Sequence, residues 1–237
     1  MKDLKKLWKT VVIAFTANIL LIAGTINVSA NPTTFAIIQP SEAQAQTGKT
    51  YGEWSVQLWK HIFEIPLENN PIFDATGANC NFAQTGSVFF LVSTSGGSAT
   101  RNECVVPAGK TLFFSPLSIA GFTHQREPEH SLRNYNRSFI NSTREIQISI
   151  DGMDVGTIVS LAPRSTPLRA ASPAGFFTVV APENNIFGGV PFQSYDTVSD
   201  GFYLLVAPLP AGAHTIKFGG ISRNFAADVT YNLIVEP

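Results

Sequence analysis

ADVTYNLIV, residues 227–235, places Val229, Tyr231, Leu233 and Val235 at every second position, with Asp228, Thr230 and Asn232 among the residues between them. A side-chain period of two marks an extended strand with one face buried. EIQISID, residues 145–151, repeats the pattern through Ile146, Ile148 and Ile150. The Asp151-Gly152 pair that follows is a turn signal between apolar runs. Working outward, strands are expected at Ser87–Ser93, Glu103–Val106, Thr111–Ser115, Asp154–Leu161, Gly175–Ala181, Phe202–Ala207 and His214–Gly219. Short strands at close spacing, without alternating helices, predict a mainly β chain built as an antiparallel β-sandwich, jelly-roll or immunoglobulin-like.

One helix interrupts this pattern. Thr50 and Glu53 form a T-x-x-E capping box, and Tyr51, Trp54, Leu58, Ile62 and Ile65 recur at three- and four-residue steps until Pro66. The reading is an N-terminal amphipathic helix over 50–65. Val56, Trp59 and Phe63 widen its apolar arc beyond half the circumference. So wide an arc implies burial against two surfaces, or one buried face and an exposed binding ridge. Glu53, Gln57, Lys60, His61 and Glu64 are expected on the polar side. Residues 119–144 read as a long polar loop.

The chain opens with four lysines and one aspartate in its first nine residues, then the apolar run TVVIAFTANILLIAG at 10–24, then Val28-Ser29-Ala30. This predicts a secretory signal peptide over 1–30, a linker over 31–47 and a single sandwich domain over 48–237. Left uncleaved, the apolar run would tie the protein to a membrane, and that is the only membrane contact expected. The expected location is periplasmic or secreted. Lys2, Lys5, Lys6, Lys9 and Asp3 lie in the leader, so sixteen basic and seventeen acidic residues become twelve and sixteen, a formal charge of −4 for residues 31–237. That balance predicts no nucleic-acid partner. Two cysteines, Cys80 and Cys104, both lie in the exported part. The default for such a pair is a disulfide, the alternatives being two free thiols or half of a metal site.

Four groups of residues invite a functional reading. AQAQTGKT at 43–50 fits a loose phosphate-loop pattern, but it carries one glycine where the chemistry needs a glycine-rich cradle, so no nucleotide is expected. HQREPEH at 124–130 brings His124, Glu127, Glu129 and His130 together. His124, Glu127 and His130 are the candidate ligands for a divalent cation, the one cofactor the chain suggests, although Pro128 is expected to prevent a regular helix there. Trp59 and Phe63 are the candidate ligand-contact residues of the helix, while Trp54 falls in its core stripe. Glu53 and His61 could form an acid–base pair but lack a third member, and no G-x-S-x-G or S-x-x-K nucleophile motif is present.

Three segments together carry a resemblance. They are YGEWSVQLW at 51–59, the two-cysteine stretch TGANCNFAQTGSVFFLVSTSGGSATRNECVVPAGKTLFF at 76–114, and SDGFYLLVAPLPAGAHTIKFGG at 199–220. They resemble a family of uncharacterised exported bacterial proteins with cyanobacterial and proteobacterial members. The resemblance implies a disulfide between Cys80 and Cys104 and a bacterial origin; it implies no reaction. The expected function is a non-catalytic binding or structural module that engages an extracellular polymer, a surface component or a protein partner. The alternative is an extracellular hydrolase using the 124–130 cluster, with or without a metal.

Overall fold

The strand Ser194–Val206 is buried at every position from Thr197 onward, so both of its faces are covered. A computed structural model describes residues 35–237, and the expected signal peptide lies outside them. Along the chain the strands are β1 Ile37–Ile38, β2 Val88–Leu91, β3 Gly97–Arg101, β4 Val105–Pro107, β5 Thr111–Thr123, β6 Thr143–Ile150, β7 Met153–Asp154, β8 Arg169–Ala171, β9 Phe177–Val180, β10 Ser194–Val206, β11 Gly212–Ser222 and β12 Phe225–Glu236. The helices are α1 Ala43–Thr47, α2 Tyr51–Phe63 and α3 Glu129–Asn141.

Two six-stranded sheets pack face to face as a β-sandwich. In the first, β10 pairs antiparallel with β5 along one edge, while β9, β8 and β1 tile its other edge in succession. In the second, β11 lies between β12 and β6. Most pairings are antiparallel, as the patterning predicts; β2 on β5, and β3 and β4 on β12, are parallel. The second sheet shows the alternation of a one-sided sheet: Val229, Tyr231, Leu233 and Val235 are buried and the residues between them are more exposed. The first sheet is covered on its outer face as well, by α2 and α3. This accounts for FYLLV at 202–206, a continuous apolar run of a strand with no solvent face.

The two helices approach that sheet at glycines. A Cβ on Gly52 of α2 would lie 2.4 Å from the Ala171 carbonyl oxygen, and one on Gly121 of β5 would lie 3.1 to 3.4 Å from Asn136 and Leu132 of α3. The capping box of α2 forms as read: the Glu53 amide donates to Thr50 Oγ1 at 3.2 Å, and the Thr50 amide donates to Glu53 Oε2 at 2.8 Å. Pro116 interrupts β5 without breaking it. The pairing with β10 shifts register between Phe202 and Leu204, and the Ser115 hydroxyl donates to the Phe202 carbonyl at 2.8 Å beside the bulge.

The structure corrects several expectations. Residues 119–144 are not a loop: β5 continues to Thr123, α3 occupies Glu129–Asn141 and β6 begins at Thr143. Pro128 caps α3 instead of breaking it, because a first-turn position has no intrahelical partner to lose. Of the expected linker, residues 35–47 belong to the fold: Phe35, Ile38 and Ala43 are buried, and β1 closes the edge of β10. AQAQT forms α1, and Gly48 is its left-handed cap, with φ of 80°. Residues 155–161 are not a strand; β7 ends at Asp154, and a short 3-10 turn at Val155–Thr157 buries Val155. Asp151 and Gly152 have φ of 50° and 79°, which makes the expected hairpin turn between β6 and β7.

Three devices hold the edges together. Cys80 and Cys104 form a disulfide, closing a loop of 24 residues. A loop of that size stabilises a fold by about 3 kcal/mol in the chain-entropy account. Arg101 is buried, with its guanidinium over the Tyr231 ring and bonded to the carbonyls of Asp74, Val92 and Ser93 and to the Tyr231 hydroxyl. The Gln84 side chain acts as a surrogate strand on β2: its Oε1 accepts from the Phe90 amide at 3.0 Å and its Nε2 donates to the Phe90 carbonyl at 2.8 Å.

The Tyr51 hydroxyl joins α2, β1 and β10. It donates to the Ile38 carbonyl at 2.7 Å and accepts from the Leu205 amide at 3.0 Å. Tyr51→Phe removes the partner of two buried backbone groups, so a loss of about 2 kcal/mol is expected in urea unfolding. A loss under about 0.5 kcal/mol would show that this junction does not matter to stability.

Candidate functional site

The sequence-predicted residues do not assemble into one site. His124, Glu127 and His130 are all exposed. His124 stands edge-on to the Tyr195 ring at 5.6 Å, and its Nε2 lies 3.3 Å from Gln125 Nε2. Among the described residues, no three His, Cys, Asp or Glu side chains come together to hold a metal ion. Trp59 is half-buried and stacks at a tilt on the buried Phe63, 5.1 Å between centroids. Phe63 in turn sits among Phe122 and Phe187. The wide arc of α2 therefore faces two surfaces, the sheet and the 183–193 segment, and Phe63 presents no free ring to a ligand. Trp54 donates its Nε1 to Thr47 Oγ1 at 2.7 Å and packs against Phe90 and Phe113.

Glu53 is held by the Thr50 cap, and His61 lies eight residues further along, about 12 Å by helical rise, so the two are not a pair. His61 is buried, against the expectation for that face, because Phe90 covers it with ring centroids 5.3 Å apart. Its Nε2 has no hydrogen-bond partner among the described residues. Burial disfavours the charged ring and pulls its pKa down to about 4.

A different place in the fold does gather chemistry. Arg133, Asn136, Arg137, Ile140 and Asn141 fall on one stripe of α3 at steps of three and four residues. That stripe forms a wall about 12 Å long. The opposite wall is β8, and Ser199 and Asp200 of β10 form the floor. The space between is two open grooves that share Arg169 as a lining residue. The first, of about 340 Å³, is lined by Arg133, Arg137 and Arg169; the second, of about 360 Å³, by Arg164 and Arg169.

The four arginines differ in how their N–H groups are used. The five donors of Arg133 all face protein oxygens: Glu129 Oε1 at 2.5 Å, the carbonyl and hydroxyl of Ser172 at 3.1 and 3.5 Å, and the carbonyls of Pro173 and Gly175 at 2.5 and 2.9 Å. The guanidinium holds the Glu129 carboxyl below the usual carboxylate range. Arg169 grips Asp200 with Nε at 3.2 Å and Nη2 at 2.8 Å, and reaches Asn141 Oδ1 at 2.6 Å, which leaves two of its N–H groups. Arg137 and Arg164 are exposed and make no hydrogen bond or ion pair among the described residues. The groove thus holds two compensated and two uncompensated cations. The Ser199 hydroxyl lies 3.0 Å from the Ser55 hydroxyl, and Asp200 is held by Arg169, so neither is arranged as a nucleophile with its base.

Reading residues 119–144 as a loop hid this site. The signal was present as Leu132, Asn136 and Ile140 at four-residue steps, with Arg133 and Arg137 displaced by one position from them.

The chain matches no protein-family model and no curated protein. Among solved structures it is similar, over 63% of its length, to a cysteine protease inhibitor from Entamoeba histolytica, of which 96% is covered, at 14% identity and a TM-score of 0.23. A likeness that slight carries no argument about this chain.

The buried histidine gives a testable pH dependence. Its folded pKa of about 4 lies below its ordinary value of 6.5, so the unfolded chain binds the proton first. Stability is therefore intact above pH 6.5 and falls as the pH drops toward 4, by about 3 kcal/mol from this group. His61→Gln should flatten that part of the stability-against-pH curve measured by urea unfolding. An unchanged slope would mean that His61 titrates as an ordinary histidine.

Proposed function

We propose that this protein is an exported, non-catalytic binding module, a member of the bacterial family it resembles, and that its ligand is anionic and sits in the groove beside α3. The observation that carries the reading is the pair Arg137 and Arg164, two uncompensated guanidinium groups flanking the Asp200-bound Arg169. Guanidinium matches planar and tetrahedral oxyanions with paired N–H groups, so unpaired arginines along a concave surface suit carboxylate, sulfate or phosphate. The buried Cys80–Cys104 disulfide supports an oxidising compartment, the periplasm or the extracellular space. No metal or organic cofactor enters this reading.

The test is a thermal-shift panel of sulfate, citrate, polygalacturonate and dextran sulfate, with neutral dextran as control. A bound anion at about 100 times its dissociation constant should raise the melting temperature by about 5–10 °C. The double variant Arg137→Glu, Arg164→Glu should keep the wild-type melting temperature and lose the response. Arg133→Gln should instead melt lower without ligand, because it gives up a guanidinium that serves five backbone and side-chain acceptors near the groove. The ligand should be recovered intact; its cleavage would count against a non-catalytic module, and no response to any anion would refute the groove as a binding site.

A further inference from the structure

The two free arginines of the α3 groove stand apart. Arg137 lines only the first groove and Arg164 only the second, and the two grooves share Arg169 alone. A site for one small anion converges its donors on a point. Here Arg133 is turned wholly onto the 172–175 segment and Glu129, and Arg169, turned onto Asp200 and Asn141, keeps only two N–H groups. What remains is one free cation in each of two grooves, with Arg169, bound to Asp200, shared between them.

We infer that the groove binds a linear polysaccharide carrying a carboxylate or sulfate on successive units, an inference that rests on the reading of the groove as an anion site. Acidic groups of such a chain pair with Arg137 and Arg164. The stretch between them passes Arg169, whose two remaining N–H groups can donate to sugar hydroxyls, and the amide of Asn141, whose Oδ1 is held by Arg169 and whose Nδ2 is left to donate. A ligand that alternates charge with hydroxyls suits this order of groups. A nucleic acid, whose bases need stacking partners, does not: no aromatic ring lines either groove. The concave shape favours a strand over a flat anionic membrane.

The experiment is fluorescence anisotropy on the full-length protein with labelled polygalacturonate and labelled dextran sulfate. Competitors are galacturonate monomer, fully methyl-esterified polygalacturonate and single-stranded poly(U). At least one acidic polysaccharide should bind. The monomer should compete at least about a hundredfold more weakly, because the chain engages both cations at once. The esterified chain should not compete. Arg137→Gln and Arg164→Gln should each weaken the polymer about fivefold, at unchanged melting temperature. A monomer as potent as the polymer, sensitive only to Arg137→Gln, would overturn the linear ligand and leave the anion site standing. Poly(U) binding tighter than either polysaccharide would overturn the sugar assignment. Acidic polymer binding that ignores both variants would overturn this groove as its site, and no binding of any anionic probe would overturn both readings.

Discussion

β10 has no face to give to solvent. Its residues from Phe202 to Val206 are fully buried, and a strand in that position needs an apolar layer on each side. The second sheet supplies one layer. The other is made from two helices laid on the outside of the first sheet, and the structure of the termini and loops follows from that requirement. β1, β8 and β9 close one edge of β10 in short pieces, since no single strand among the described residues covers it. Phe35, Ile38 and Tyr51 bring the segment before α2 into the same layer. Gly52 and Gly121 let the helix–sheet contacts close to backbone distance, which larger side chains would prevent.

The groove is a product of the same covering layer. Straight helices on a twisted sheet meet it unevenly, and the margin between α3 and β8 is left open. That margin has to be held at fixed width if it is to recognise anything, and Arg133 does so. It ties the first turns of α3 to the 172–175 segment through carbonyls, with Glu129 completing the set, so its charge is compensated and its geometry is fixed. Asn136 adds an anchor through its Nδ2 to the Val198 carbonyl at 3.0 Å. Structural and ligand-facing roles are thus divided between arginines one turn apart on the same helix. Arg133 gives up its donors to hold the wall, and Arg137 keeps its donors by facing outward. Residue type alone cannot distinguish them; only the donor count can.

How much of this was legible in the sequence depends on how local the cause was. Thr50 and Glu53 announce the start of α2 because a capping box is a contact within four residues. The strands of the second sheet, such as Glu145–Asp151, are legible because one-sided burial imposes a period of two. The disulfide is legible from the count of cysteines in a chain whose first thirty residues read as a signal peptide. What the sequence concealed is non-local. α3 buries only a thin stripe of Leu132, Asn136 and Ile140, one member of which is polar, so its periodicity is weak and Pro128 looks like a breaker when it is a cap. β8 is three residues long, with no pattern of its own; it exists because β10 has an open edge there. A site formed between α3 and β8 needed both elements to be seen, and neither was. The His124, Glu127 and His130 cluster failed for the opposite reason: closeness in sequence suggested convergence, but those residues lie across the break between β5 and α3 and stand exposed.

Residues 31–237, the part read as exported, carry a formal charge of −4, which opposes the approach of anions. At physiological ionic strength that repulsion decays over about 8 Å, whereas an anion in the groove is in direct contact with guanidinium groups. A small anion gains little from one exposed arginine in water, since a surface ion pair contributes about 0–1 kcal/mol. A chain that meets both free cations while its hydroxyls pass Arg169 and Asn141 adds the two contacts without a second loss of translational freedom. The background of negative charge opposes a polyanion more than a small anion. The preference for an extended ligand therefore has to come from one chain pairing with Arg137 and Arg164 together, each of which lines a different groove.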